Sequence, residues 1–298
     1  MQWRGKRTSS HIEDRRRGGG FSRAGMPGIR VGRRGGGRGS PMGIFATIVV
    51  LLIGAYFGVD MTGLLGGSQG GYATQGAAPA GPNTIDDDEE AFVATMLGET
   101  EQVWSEIFAA SGERYTPTTL VLYSGGTGSA CGMAQAAMGP FYCPGDRRVY
   151  LDTSFFRVLE QRMGAGGDFA NAYVIAHEVA HHVQNLTGTL GQVNAERQRA
   201  GERQANALSV RLELQADCYA GVWASRAAAG LQVTEADIRE ALDTAAAIGD
   251  DTLQRSAGAR VVPDSFTHGS AEQRQTWFFT GYRSGDPGRC DTFSARNL

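Results

Sequence analysis

The sequence predicts an α+β fold, mostly helical with a small sheet, preceded by one transmembrane helix. Three observations predict it. After residue 85, apolar residues recur at helical spacing in several long runs. Only two short runs, 119–123 and 148–151, carry the β-branched and aromatic density of strands. Residues 42–59 form an apolar run with no charge before Asp60, at the short end of the length that crosses a bilayer.

Residues 1–41 are rich in Gly and Arg and poor in apolar side chains. Such a composition predicts a disordered tail. Residues 1–40 hold eleven Lys and Arg against Glu13 and Asp14, whereas the rest holds 17 basic and 29 acidic residues, a net of −12. A basic flank stays in the cytoplasm by the positive-inside rule. The expectation is therefore a single-pass anchor at 42–59 in the cytoplasmic (inner) membrane, with the N-terminus cytoplasmic and the acidic body extracytoplasmic. Arg-Gly-Gly runs at 17–19 and 34–36 can bind RNA, but apart from Trp3 and Phe21 the head has no interleaved aromatics, which disfavours a nucleic-acid partner. Residues 60–84, rich in Gly, Ala, Ser, Thr and Pro, read as a flexible linker.

The remaining body, residues 85–298, opens with Asp86, Asp87, Asp88, Glu89 and Glu90, placed where a helix dipole favours negative charge. Phe92, Val93, Met96, Leu97, Val103, Trp104, Ile107 and Phe108 follow as its buried face. A short helix is expected over 153–163, a long helical stretch over 202–229 and another helix over 235–248, with 188–201 left as loop or polar helix. Four cysteines, none in a C-x-x-C pair, suit disulfides in an exported body rather than a zinc site. Spacing suggests Cys131 with Cys143 first, leaving Cys218 with Cys290.

The chemistry concentrates in Ala172 to Gln184, where His177, Glu178 and His181 form H-E-x-x-H within a helical apolar pattern. Residues four apart share a helix face, so both imidazoles can bind one metal ion, with Glu178 beside them as general base. Asp168 is the expected N-cap and Thr187-Gly188 the stop. His182 lies one position off the ligand face, which places it adjacent to the site or on the surface rather than among the ligands. Catalytic zinc takes three protein ligands and keeps one position open. Glu213, thirty-two positions after His181, is the expected third, on a returning helix. Asp217, one turn further, is placed to accept a hydrogen bond from His177 and fix its tautomer. Zinc would lower the pKa of a water towards ~7, Glu178 would take the proton, and His268 would donate to the developing oxyanion, with Tyr219 as runner-up. The bland alternative for His268 is a cap on the following helix. Gly249-Asp250-Asp251 reads as a solvated helix end, with a loop whose paired acids bind calcium or sit near the site as the alternative.

His177 to Gln184, Glu213 to Gly221, Gly139 to Pro144 and Thr267 to Ser270 together resemble the bacterial family of "putative neutral zinc metallopeptidases". The resemblance covers roughly residues 85–293 and, at its N-terminal end, the basic head and anchor. It implies a zincin-like body with Zn2+ on His177, His181 and Glu213, and a peptide or protein substrate. In zinc peptidases with such a helix, an adjacent sheet edge commonly holds the substrate, here one of the two expected strands. The alternative function is a catalytically weak zinc-binding envelope scaffold or adaptor.

Overall fold

A computed structural model describes residues 1–16 and 84–298. These residues are mostly helical with a small sheet. Strand β1 (Ile12–Asp14) precedes helix α1 (Asp88–Ala110). Five short strands follow: β2 (Thr119–Tyr123), β3 (Gly126–Ser129), β4 (Gly132–Gln135), β5 (Phe141–Cys143) and β6 (Arg148–Asp152). The chain then runs through α2 (Ser154–Met163), α3 (Asp168–Leu186), α4 (Thr189–Arg199), α5 (Glu202–Leu231), α6 (Glu235–Ala247), α7 (Asp250–Ser256) and α8 (Ala271–Ser284).

The main sheet has the order β1-β2-β6-β5, with β5 antiparallel to β6 and the other pairs parallel. Antiparallel β3 and β4 form a separate hairpin, joined to β5 by the Cys131–Cys143 disulfide. Thr119–Tyr123 and Arg148–Asp152 are thus both interior strands, hydrogen-bonded on two sides. Neither has a free edge to offer a substrate, which corrects that expectation. The edge beside the metal-motif helix is β5, too short to stand out in the sequence.

Residues 1–16 also depart from the expected tail. Ile12, Glu13 and Asp14 pair in register with Leu120, Val121 and Leu122. Trp3 is buried edge-on against Phe92, and its indole N–H donates to Asp168 at 2.8 Å. Arg16 lies 2.7 Å from Asp14 and 2.8 Å from Asp87, the residue that caps α1. These contacts recruit the basic residues that composition alone assigns to solvent. The rest of the expected tail, the expected anchor at 42–59 and nearly all of the expected linker lie outside the described residues. Among the described residues, no helix is long and apolar enough to cross a membrane.

The core is built on α3, α5 and α8. A Cβ on Gly281 would lie 1.9 Å from the Cys218 carbonyl oxygen, and one on Gly221 would lie 2.0 Å from that of Phe278. Only glycine allows α5 and α8 to approach so closely. The Cys218–Cys290 disulfide ties α5 to the segment after α8. This contact brings Asp217 of α5 opposite Arg274 of α8, next to the metal-motif helix. The segment 188–201, left open by the sequence, is largely helix α4.

Candidate metal centre and active-site cleft

Helix α3 is set by its buried face, including Tyr173, Val174, Ile175, Val179 and Val183, and one turn brings His177 and His181 together. Their rings meet edge to face, 4.8 Å apart. Glu213 on α5 completes the group. Its Oε2 lies 3.1 Å from His177 Nε2 and 3.5 Å from His181 Nε2. One donor atom from each of the three residues lies within 4.8 Å of the others. Two imidazoles and one carboxylate, with a cleft in front of them, fit a zinc site that leaves a position open.

The surroundings fix both tautomers. His177 Nδ1 lies 2.8 Å from Asp217 Oδ1, and His181 Nδ1 lies 2.9 Å from Gln184 Oε1. Both acceptors hold a proton on Nδ1, so Nε2, the nitrogen beside Glu213, is the one each ring can offer to a metal ion. Gln184 is itself fixed, donating to the Leu212 carbonyl at 2.7 Å. Sequence reading placed Asp217 beside His177 and missed Gln184, whose signal is its i+3 spacing from His181.

Asp217 is 0 % exposed and also accepts from Tyr173 Oη at 2.6 Å and from Arg274 at 2.8 and 3.0 Å. Burial alone would raise its pKa, but Arg274 and His177 outweigh burial and hold it down at about 2. In the metal-free centre, burial works against a charged His177, yet Asp217 and Glu213 push its pKa up to about 10. A ligating imidazole is neutral, so metal and proton compete for this site. Glu178 opens on the same cleft, its carboxyl pushed up by burial. It has no hydrogen-bond partner among the described residues.

The cleft holds about 420 Å³, and Phe141, Tyr142, Phe155, Leu190 and Leu212 give it apolar walls. His182, read as adjacent to the site or on the surface, is buried and braces the β5 wall. Its Nδ1 meets Tyr142 Oη at 3.1 Å and its Nε2 the Thr116 carbonyl at 2.7 Å. Asn185 donates to the same Tyr142 oxygen at 3.0 Å.

His268 lines the cleft with its side chain 40 % exposed. It does not cap α8, because Ser270 and Gln273 form the capping box there. Its Nδ1 lies 3.3 Å from Asp250 Oδ1. Asp250 corrects the sequence reading of a solvated helix end. It is buried, and Oδ2 accepts the backbone N–H groups of Thr267, His268 and Gly269 at 2.7, 2.7 and 3.0 Å. Burial lowers the His268 pKa, but the bond to Asp250 and the charge of Glu213 raise it by more. Tyr219 instead packs against Trp104, with ring centroids 5.3 Å apart, and does not line the cleft.

The family described as "Putative neutral zinc metallopeptidase" matches residues 1–293. The chain belongs to this family. YpfJ of Escherichia coli K12, an uncharacterized protein, is 45% identical over 293 residues, covering 98% of this chain and 99% of YpfJ. The uncharacterized protein Rv2575 of Mycobacterium tuberculosis is 47% identical over 209 residues, covering 66% of this chain and 68% of its own length. No solved structure matches the chain. The match reaches from residue 1, so it takes in the N-terminal strand as well as the metal trio.

Replacing one of three ligands should cost more than a supporting contact, whose loss weakens metal affinity ~10–100-fold. Glu213→Ala is therefore expected to weaken zinc binding at least ~100-fold. Metal analysis after dialysis checks this, and unchanged zinc content would place the third ligand elsewhere.

Proposed function

We propose that this protein is a zinc-dependent peptidase, an endopeptidase acting on extended peptide or protein segments. The observation that carries the reading is the meeting of His177, His181 and Glu213 in one group at the floor of a cleft that Glu178 also lines. Zinc, when bound by these three residues, supplies a Lewis acid and brings the pKa of a water towards ~7.

The chain's own residues do the rest. Glu178 is the general base, taking the proton of the attacking water and returning it to the leaving amine. The raised pKa of its buried carboxyl suits both halves of that transfer. His268, held by Asp250, faces the cleft and donates to the carbonyl oxygen as negative charge develops. Asp217, held by Arg274, keeps His177 in its ligating tautomer. Among the described residues β5 has an unpaired side, and its main-chain groups can take an extended substrate as an added strand. The family-like segment Gly139 to Pro144 is this wall.

The competing role, a zinc-binding scaffold, has no use for a buried base open to the cleft. An unbiased peptide-library digest of the zinc-loaded chain tests the choice. Cleavage that a chelator removes and zinc restores is expected. A chain that binds zinc yet leaves every peptide intact would favour the scaffold.

A further inference from the structure

The cleft contains one cation without a counter-charge among the described residues. Leu190, Asn194 and Arg197, at helical spacing on α4, line it together. Arg274 is committed to Asp217, and His268 is paired with Asp250. Glu178 and Glu213 belong to the metal centre. Arg197 donates to Asn194 Oδ1 at 3.3 Å, and its Nε is buried with no partner. No described carboxylate lies in ion-pair range of its guanidinium. A basic residue near a helix C-terminus can serve the dipole, but no bond from Arg197 to the last carbonyls of α4 is formed. A buried unpaired donor is costly, and a guanidinium fork matches a carboxylate in shape and charge.

We propose that Arg197, with Asn194 beside it, is a carboxylate-recognition subsite, so that the substrates are peptides with a carboxylate near the scissile bond. This rests on the peptidase reading. The carboxylate can come from an Asp or Glu side chain or from a peptide C-terminus. A matched peptide set separates these sources, with Glu against Gln at each position flanking the cut and free acid against amide at the end. A charged hydrogen bond contributes ~1.5–3 kcal/mol, so the carboxylate form should be favoured in kcat/KM ~10–150-fold. In Arg197→Gln that ratio should fall towards one, and Arg197→Lys should restore part of it. If the two forms are cleaved equally by the unaltered chain, or if Arg197→Gln lowers both alike, the subsite assignment is overturned and the peptidase reading stands. Binding of the same peptides to zinc-loaded Glu178→Gln, read by fluorescence anisotropy, decides the preference without turnover. Equal affinity for the two forms would also overturn it.

β1 is hydrogen-bonded to β2, Trp3 donates to the first residue of α3, and Arg16 bridges to Asp87 at 2.8 Å. Arg16, at the end of the first described segment, thus lies beside Asp87, near the start of the second. Two paired strands cannot lie on opposite sides of a hydrocarbon layer ~30 Å thick. We infer that residues 1–16 and 84–298 occupy one compartment, on the same side of any membrane the protein meets. An N-terminus in the cytoplasm with residues 84–298 outside it, as the sequence led us to expect, would tear β1 from β2. Full-length chains carrying Thr8→Cys or Arg260→Cys, both exposed positions, can be treated in intact and in permeabilised cells with a membrane-impermeant maleimide. The unsubstituted chain gives the background. The two positions should respond alike, both labelled or both protected. Labelling of one in intact cells with the other protected would overturn the inference.

Discussion

Glu178→Gln is expected to keep the metal and lower peptide hydrolysis by ~10²–10⁴-fold, the range that a positioned general base supplies. The amide is close to isosteric and cannot accept the proton. None of the three residues of the metal group is altered, and the hydrogen bonds that fix His177 and His181 do not involve Glu178. Zinc content should therefore match that of the unaltered chain, and the melting temperature should not fall. The measurement is kcat/KM on a cleaved library peptide, with metal analysis of the same sample. Full turnover in a zinc-loaded Glu178→Gln chain would remove Glu178 from the mechanism. Lost zinc would instead give this residue a part in holding the metal.

Arg274→Met is expected to destabilise the fold by ~3–5 kcal/mol, because it leaves the Asp217 carboxylate buried without its main partner. Arg274 is 3 % exposed and Asp217 0 %. At about 2–4 °C per kcal/mol for a domain of this size, the melting temperature should fall by about 6–20 °C. Asp217→Asn in the same chain should recover part of the loss, since the stranded charge disappears. The pH dependence has a definite sign. Asp217 is held at about 2 in the fold, below the ~3.9 of an unfolded aspartate. Its stabilisation is present above pH ~4 and is lost as the pH falls towards 2. The step should be smaller in Arg274→Met, and thermal unfolding between pH 2 and 6 measures it. A melting temperature unchanged by Arg274→Met would show that the ion pair does not stabilise the fold.

The two predictions differ in how far the sequence could reach them. Glu178 stands inside a motif whose geometry is local. Helical periodicity alone puts His177 and His181 on one face, and the same rule stacks Asp217 a turn beyond Glu213. Helix geometry repeats, so spacing along the chain becomes position in space. The mostly helical fold with few strands was legible for the same reason. Both cysteine pairings agree with spacing and elimination.

Arg274, Asp250 and Arg197 carry no such local signal. Asp250 becomes an orienting group only when the turn after α7 presents three backbone N–H groups to it. Arg274 meets Asp217 only because Gly221 and Gly281 let two helices close on each other. β1 is a three-residue Ile-Glu-Asp segment with no alternation to mark it, and a composition rich in Gly and Arg pointed to a tail. Its partner strand lies more than a hundred residues away. The sequence by itself pointed to His177, His181 and Glu213 as one group, to Glu178 beside them, to the helical class and to the disulfide partners, through helical periodicity and residue chemistry. Only the tertiary structure decided which strand edge lies beside the metal-motif helix, the buried Asp217–Arg274 pair, the Asp250–His268 pair and the pairing of β1 with β2. Those depend on contacts between distant segments, and no spacing rule encodes them.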